Sequence, residues 1–67
     1  MNIFIKRLKE IRKDKGLSMS ELANKIGVST NTISRWERGE RIPNLEALVT
    51  LAKFFKVSTD YLCGLED

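Results

Sequence analysis

Signals that end one helix and begin the next recur along this 67-residue chain, so that only short helices are allowed. Gly16, Gly27 and Gly39 each follow a stretch with helical patterning, where a residue with positive φ commonly ends a helix. Residues of the types preferred as helix N-caps follow at Ser18, Ser29, Asn44 and Ser58. No stretch alternates apolar and polar residues as a strand does. The sequence therefore predicts an all-α fold of five helices, at about residues 3–15, 19–25, 30–38, 45–56 and 59–63.

Apolar residues recur at helical spacing within these segments and define the predicted core faces. In the first segment Phe4, Leu8, Ile11 and Lys15 follow one another at steps of three and four. The inward residues predicted for the other four segments are Leu22, Ala23, Ile26, Ile33, Trp36, Leu45, Leu48, Leu51, Ala52, Phe55, Tyr61 and Leu62. Because a chain of this length supports one small core, we expect residues 1–67 to form a single domain.

Charge is distributed unevenly along the chain. Residues 57–67 contain Asp60, Glu66 and Asp67 and no base, whereas residues 1–56 hold all 12 basic residues and six acidic ones. The larger part of the chain therefore has a net charge of +6. A basic body with an acidic tail predicts a polyanionic partner, and it favours nucleic acid over a membrane surface.

Composition argues against several other classes of protein. The chain has no histidine and one cysteine, Cys63, so a zinc site lacks ligands and an intrachain disulfide is impossible. We expect no metal, cofactor or small-molecule ligand. Five short helices supply few walls for a pocket that excludes water, so we do not expect an enzyme. No apolar run approaches the roughly 20 residues that a membrane span needs, and no secretion signal is evident. We therefore expect a cytoplasmic protein.

The second and third helices, joined through Gly27, fit a helix-turn-helix, in which the second of the two helices enters the major groove of DNA. Ala23 must be small where the third helix crosses above it, and Gly27 reaches positive φ at low cost. The side chains left on the outer face of the third helix are Thr30, Asn31, Ser34, Arg35 and Arg38. These side chains are of the lengths and types that contact base edges and phosphates.

A longer pattern surrounds this motif. It comprises KRLKEIRKDKGL, SMSELANKIGVSTNTISRWERGERIPNLEAL and LAKFFKVSTDYL, with a Leu-Ala pair, a glycine four residues after the alanine, and a Pro-Asn-Leu entry to the fourth helix. This pattern, from about residue 4 to residue 65, resembles the phage repressor and Cro (Xre-like) family of helix-turn-helix DNA-binding domains. Matching helices on both sides make it more specific than an isolated helix-turn-helix. The resemblance implies a lambda-repressor-like domain.

The resemblance also implies a dimer that binds a two-fold symmetric operator with its third helices in the major groove. The DNA-binding residues carried over by position are Ser29, Thr30, Asn31, Thr32, Ser34, Arg35, Arg38, Arg41 and Asn44. Among them Asn31 suits adenine and Arg35 suits guanine, whereas Thr30 and Thr32 are weaker candidates. The family often has glutamine where Met19 stands, so a phosphate contact there must come from main-chain amides or Ser20.

Glu37 belongs to the same stretch, but a carboxylate that faced phosphates would repel them. Family resemblance implies instead that Glu37 pairs with Arg12 across the packed helices. We therefore predict a structural role for both residues.

We conclude from the sequence that the chain is a sequence-specific regulator of transcription that binds double-stranded DNA as a homodimer, as a repressor. Phe54, Leu62 and Leu65, in the C-terminal region, are the candidate dimer contacts. The alternative is a protein-interaction module, such as an antitoxin or an adaptor, for which DNA binding is secondary. Either a stand-alone regulator or the amino-terminal domain of a longer repressor fits this sequence.

Overall fold

The computed structural model describes residues 2–66, which form five α-helices and no strand. The helices are α1 (Asn2–Asp14), α2 (Met19–Ile26), α3 (Thr30–Glu37), α4 (Leu45–Phe55) and α5 (Thr59–Cys63). Their ends lie within one residue of the positions predicted from the sequence. The predicted all-α fold class is confirmed.

Side-chain caps determine where four of the helices begin. Ser18 Oγ accepts a hydrogen bond from the Glu21 amide at 3.0 Å, and the Glu21 carboxylate accepts one from the Ser18 amide at 2.8 Å. These two bonds form a capping box. Ser29, Asn44 and Ser58 cap α3, α4 and α5, each by accepting from the amide three residues further on. A cap of this kind contributes about 1 kcal/mol, so local sequence defines these boundaries.

All five helices contribute to one apolar core. Its buried side chains are Phe4, Leu8, Leu22, Ala23, Ile33, Trp36, Leu51, Ala52, Phe55 and Leu62. α2 packs mainly against α3, and α1 packs against both α3 and α5. α3 therefore has one face held between α1 and α2, and its opposite face is left for other contacts.

The last helix is attached to the first by Arg7. Its guanidinium lies 4.2 Å from the centre of the Tyr61 ring, donates to the Tyr61 carbonyl, and donates to the Glu66 carbonyl at 2.7 Å. Ile3 packs against Gly64, where an added Cβ would lie 2.6 Å from a methyl carbon of Ile3. These contacts hold α5 and the residues after it against the amino-terminal half of α1.

One predicted inward orientation and one predicted dimer contact are wrong. Leu45 is 76% exposed, because it is the first residue of α4 and the inward face there is supplied by Ala47 and Leu48. Leu62 is fully buried, so it belongs to the core and cannot contribute to an exposed dimer contact.

No helix within residues 2–66 is long and apolar enough to cross a membrane.

Candidate nucleic-acid interface

The orientation of α3 is set by a buried ion pair with α1. Arg12 Nε lies 2.6 Å from Glu37 Oε2, and Arg12 Nη2 lies 3.0 Å from Glu37 Oε1, a bidentate arrangement. Arg12 Nη1 also donates to the Leu17 carbonyl at 2.8 Å. Arg12 is 8% exposed and Glu37 is 2% exposed. The carboxylate of Glu37 is therefore turned into the protein, away from the outer face of α3.

The hydrogen bond that Arg12 donates to Glu37 raises the pKa of Arg12, against a smaller opposing effect of burial. The two side chains satisfy each other's hydrogen-bonding groups, as buried charged groups require. None of the buried side-chain nitrogen and oxygen atoms described is left without a partner. The pair therefore anchors α3 to α1.

The outer face of α3 carries Asn31, Arg35 and Arg38, all exposed. They lie at positions i, i+4 and i+7, so they follow one another along the same side of the helix. Thr30 is also exposed, at the start of the helix, whereas Ser34 is half-buried. The buried residues Ile33 and Trp36 occupy the opposite side. The outer face of α3 thus presents a row of hydrogen-bonding side chains, and the opposite face of the helix is packed into the core.

An open groove of about 440 Å³ lies between α3 and the connection to α4. Its lining residues are Val28, Asn31, Thr32, Arg35, Trp36, Arg41, Ile42, Pro43, Asn44 and Ala47. Five residues predicted from the sequence to bind DNA are among them, namely Asn31, Thr32, Arg35, Arg41 and Asn44. The groove thus has a guanidinium and an amide on each wall, a lining suited to an anionic partner with hydrogen-bonding groups.

The other four predicted residues lie outside the groove lining. Ser29 and Thr30 form the start of α3, and Arg38 lies at its end, where it is the C-cap residue. Ser34 is part of the same helix but is half-buried. The predicted residues therefore form one row along α3 and one cluster across the groove, rather than a single compact site.

Two hydrogen bonds hold the start of α3 in place. Ser29 Oγ accepts from the Thr32 amide at 3.1 Å and lies 2.8 Å from Thr32 Oγ1. Because the Thr32 hydroxyl is engaged with Ser29, its methyl group is the part of the side chain available to the groove. The Asn44 side-chain oxygen is similarly used by the cap of α4, at 2.8 Å from the Ala47 amide. The Asn44 side-chain amide group keeps its donors.

The start of α2 differs from that of α3. The Glu21 carboxylate accepts the Ser18 amide there, and this hydrogen bond, together with one from the Ser18 side chain, lowers the pKa of Glu21. Met19 is half-buried and packs against the core. The start of α2 thus carries the Glu21 carboxylate, which already accepts a hydrogen bond from the Ser18 amide, and the apolar side chain of Met19.

The ion pair between Arg38 and Glu40 was not predicted from the sequence. Arg38 Nε lies 3.0 Å from Glu40 Oε2, and Arg38 Nη2 lies 3.3 Å from Glu40 Oε1. Residues two apart do not face each other on a helix, but Gly39 has a φ of +73° and turns the chain back at the end of α3. The available signal was a pair of opposite charges on either side of a helix-ending glycine.

The apolar part of the groove was also not predicted from the sequence. Val28, Ile42 and Pro43 line it beside the polar residues. Ile42 is exposed although it is a large apolar residue. Pro43 signals the helix boundary in the sequence, but its place in the groove depends on how the connection folds over α3.

Comparison with known proteins places the chain in a family. The sequence model of the helix-turn-helix family matches residues 8–62. The transcriptional regulator ImmR of Bacillus subtilis (strain 168) is 40% identical over 62 residues, which are 92% of this chain and 49% of ImmR. The cryptic phage CTXphi transcriptional repressor RstR of Vibrio cholerae is 38% identical over 55 residues, which are 82% of this chain and 50% of RstR.

Among solved structures, the P22 c2 repressor in complex with a synthetic operator superposes with a TM-score of 0.87 at 36% identity. That alignment covers 94% of this chain and 96% of the repressor chain. The chain spans about half the length of the two curated relatives. With a family match over most of its residues and a close structural counterpart over nearly all of them, the chain belongs to the helix-turn-helix family of phage repressors and Xre-like transcriptional regulators.

Proposed function

We propose that residues 1–67 form a single DNA-binding domain that acts in transcriptional repression, and that two copies bind a two-fold symmetric operator. The observation that carries this proposal is that Asn31 and Arg35 line one wall of the groove and Arg41 and Asn44 line the other. Support comes from relatives named as transcriptional regulators and repressors, and from a structural counterpart bound to an operator. We expect such a protein to act on DNA in the cytoplasm.

Base recognition is assigned to the row on α3. Arg35 is exposed and long enough to donate two hydrogen bonds to guanine O6 and N7, and Asn31 can bond adenine N6 and N7 in the same way. Thr32 offers its methyl group to a thymine methyl, because its hydroxyl is bonded to Ser29. Thr30 and Ser34 are secondary contacts, Ser34 the weaker because it is half-buried.

Phosphate contacts are assigned to the two ends of α3 and to the far wall of the groove. The cap by Ser29 uses the Thr32 amide, which leaves the amides of Thr30 and Asn31 directed out of the helix start, where anions bind. Arg41 and the donors of Asn44 would bind the backbone of the same strand across the groove. Arg38 would contact a phosphate at the opposite end of the helix.

Dimerisation is assigned to an exposed apolar residue that was not among the dimer contacts predicted from the sequence. Leu62 is buried, whereas Leu45, Phe54 and Leu65 are exposed. On an inverted repeat the two subunits meet across a two-fold axis beside the DNA. Ile42 is also exposed, but it lines the groove itself. Leu45 directly follows Asn44 of the groove and is not part of the lining, so it is the exposed apolar residue outside the groove whose chain position is nearest to the proposed DNA face. We therefore place the contact between copies at Leu45.

Selection from a random pool of double-stranded DNA, repeated at two salt concentrations, tests the proposal. We expect enrichment of an inverted repeat with half-sites about 10 base pairs apart centre to centre. Affinity for it should fall as salt rises, with a slope of roughly 0.9 per neutralised phosphate. If the folded protein enriches no sequence at either salt concentration, it is not an operator-binding protein.

A further inference from the structure

The ion pair between Arg38 and Glu40 lies at the carboxyl end of the helix that we assign to the major groove. Arg38 continues the row of Asn31 and Arg35 on the outer face of α3, one turn beyond Arg35. Its guanidinium is held by both oxygens of Glu40, at 3.0 and 3.3 Å. The side chains are 54% and 55% exposed, so both charges face solvent. The arginine in the position to meet a phosphate is therefore already bound to a carboxylate.

The backbone holds Glu40 in this place. The Gly39 amide donates to the Trp36 carbonyl at 3.2 Å, and the Glu40 amide donates to the Arg35 carbonyl at 2.9 Å. A Cβ on Gly39 would lie 2.8 Å from the Ile5 side chain, so the turn is pressed against α1. The backbone of Glu40 is thus held beside Arg38 by the end of the helix itself.

Glu37, the other carboxylate of this stretch, behaves differently. Glu37 is buried and neutralised by Arg12, so it presents no charge to a partner on the outer face. Glu40 is the acidic residue that remains exposed between Arg38 and Arg41. A phosphate that approached Arg38 would meet this carboxylate at close range, where salt screens repulsion least.

We propose that Glu40 is a built-in competitor of DNA phosphate for Arg38, and that it lowers the affinity of the domain for DNA. This inference rests on the proposed function. Binding at the end of α3 requires Arg38 to exchange the carboxylate for a phosphate, or to share its donors between the two. Because every duplex carries the same phosphates, Glu40 lowers affinity for all sequences by the same factor and leaves base preference unchanged.

The opposite role is also chemically available to a glutamate. An exposed carboxylate can accept a hydrogen bond from cytosine N4 in the major groove and so contribute to specificity. Removing the charge then weakens binding to the cognate site. The sign of the change produced by Glu40→Gln separates these two roles.

The experiment measures the dissociation constants of wild type and Glu40→Gln for the selected operator and for a 20-base-pair duplex of mixed sequence, at two salt concentrations. We expect Glu40→Gln to bind both duplexes roughly two- to five-fold more tightly, the range typical of an exposed ion pair. The salt slope should steepen by up to about one, because Arg38 becomes free to neutralise a phosphate.

Two further variants serve as controls. Glu10→Gln removes the same charge from the exposed side of α1 and should change affinity less than Glu40→Gln. In an Arg38→Gln background, the effect of Glu40→Gln should fall to that of Glu10→Gln. Thermal unfolding of each variant checks that the fold is unchanged.

The possible results are distinct. Weaker binding by Glu40→Gln, or an altered base preference at one position, would overturn the proposal in favour of a base contact. An equal gain in the presence and absence of Arg38 would overturn the competition mechanism and leave only long-range repulsion. If wild type and Glu40→Gln both fail to bind either duplex, the proposed function itself is wrong, and this inference with it.

Discussion

Arg12 of α1 and Glu37 of α3 form a buried bidentate ion pair, with oxygen–nitrogen distances of 2.6 and 3.0 Å. Arg12 also bonds the carbonyl of Leu17, just before α2. One side chain therefore connects the first helix to both parts of the helix-turn-helix. The proposed recognition helix is held in a fixed rotation by this pair, and its outer side chains depend on that rotation for their direction.

Removal of one partner of this pair should be costly. We expect Arg12→Met to lower the free energy of unfolding by about 3–5 kcal/mol, because Glu37 would remain buried without a counter-charge. Urea unfolding followed by circular dichroism measures the change. The double variant Arg12→Met/Glu37→Leu should recover part of the loss, since no buried charge then remains. A double variant as unstable as the single one would show that packing around Arg12, and not its charge, is what matters.

The capping box of α2 should make stability depend on pH. The folded-state pKa of Glu21 is lowered by hydrogen bonds from Ser18, so its contribution is present above the ordinary value of 4.5 and is lost as pH falls below it. Glu21→Ala should therefore destabilise the protein at neutral pH, with a difference from wild type that narrows on acidification. Urea unfolding at pH 7 and near pH 3 tests this. A difference that is independent of pH would show that the charge of the Glu21 carboxylate does not contribute to stability.

Arg35 should determine one position of the operator. We expect Arg35→Ala to weaken binding to the cognate site by roughly 1–3 kcal/mol and to relax the preference at one base pair. Binding to a panel of operators with single substitutions measures both effects. Arg35 is exposed, so the variant should keep wild-type stability. Unchanged affinity and base preference would mean that the recognition face is assigned to the wrong residues.

Arg41, across the groove, should behave differently. Arg41→Ala should weaken binding to every sequence by the same factor and flatten the salt slope by about one, because we assign it to a phosphate. The same operator panel, titrated at several salt concentrations, gives both quantities. A loss confined to one operator variant would identify Arg41 as a base contact.

Leu45 should contribute to the dimer and not to the fold. Since its side chain is 76% exposed, Leu45→Glu should leave thermal stability nearly unchanged. We expect it to reduce cooperative binding to the inverted repeat while preserving binding to a single half-site. Leu65→Glu, at another exposed leucine, is the matched control. If Leu65→Glu abolishes cooperativity and Leu45→Glu does not, the contact lies in the C-terminal region.

Much of this protein is determined by sequence alone, because its helix ends are local events. A serine or asparagine cap bonds an amide three residues away, and a glycine such as Gly27 reaches positive φ without help from distant residues. The motif strings around Ala23 and Trp36 indicated the family for a different reason, since they reflect the close packing of neighbouring helices.

Only the tertiary structure decided which way residues near helix ends face. The sequence predicted that Leu45 and Leu62 both face inward, yet Leu45 is exposed and Leu62 is fully buried. Periodicity defines a stripe along a helix, but whether the core reaches either end of that stripe depends on where the other helices pack. The groove between Arg35 and Arg41, and the pairing of Arg38 with Glu40, likewise required the folded connection after α3, because their geometry follows from how the chain turns at Gly39 against α1.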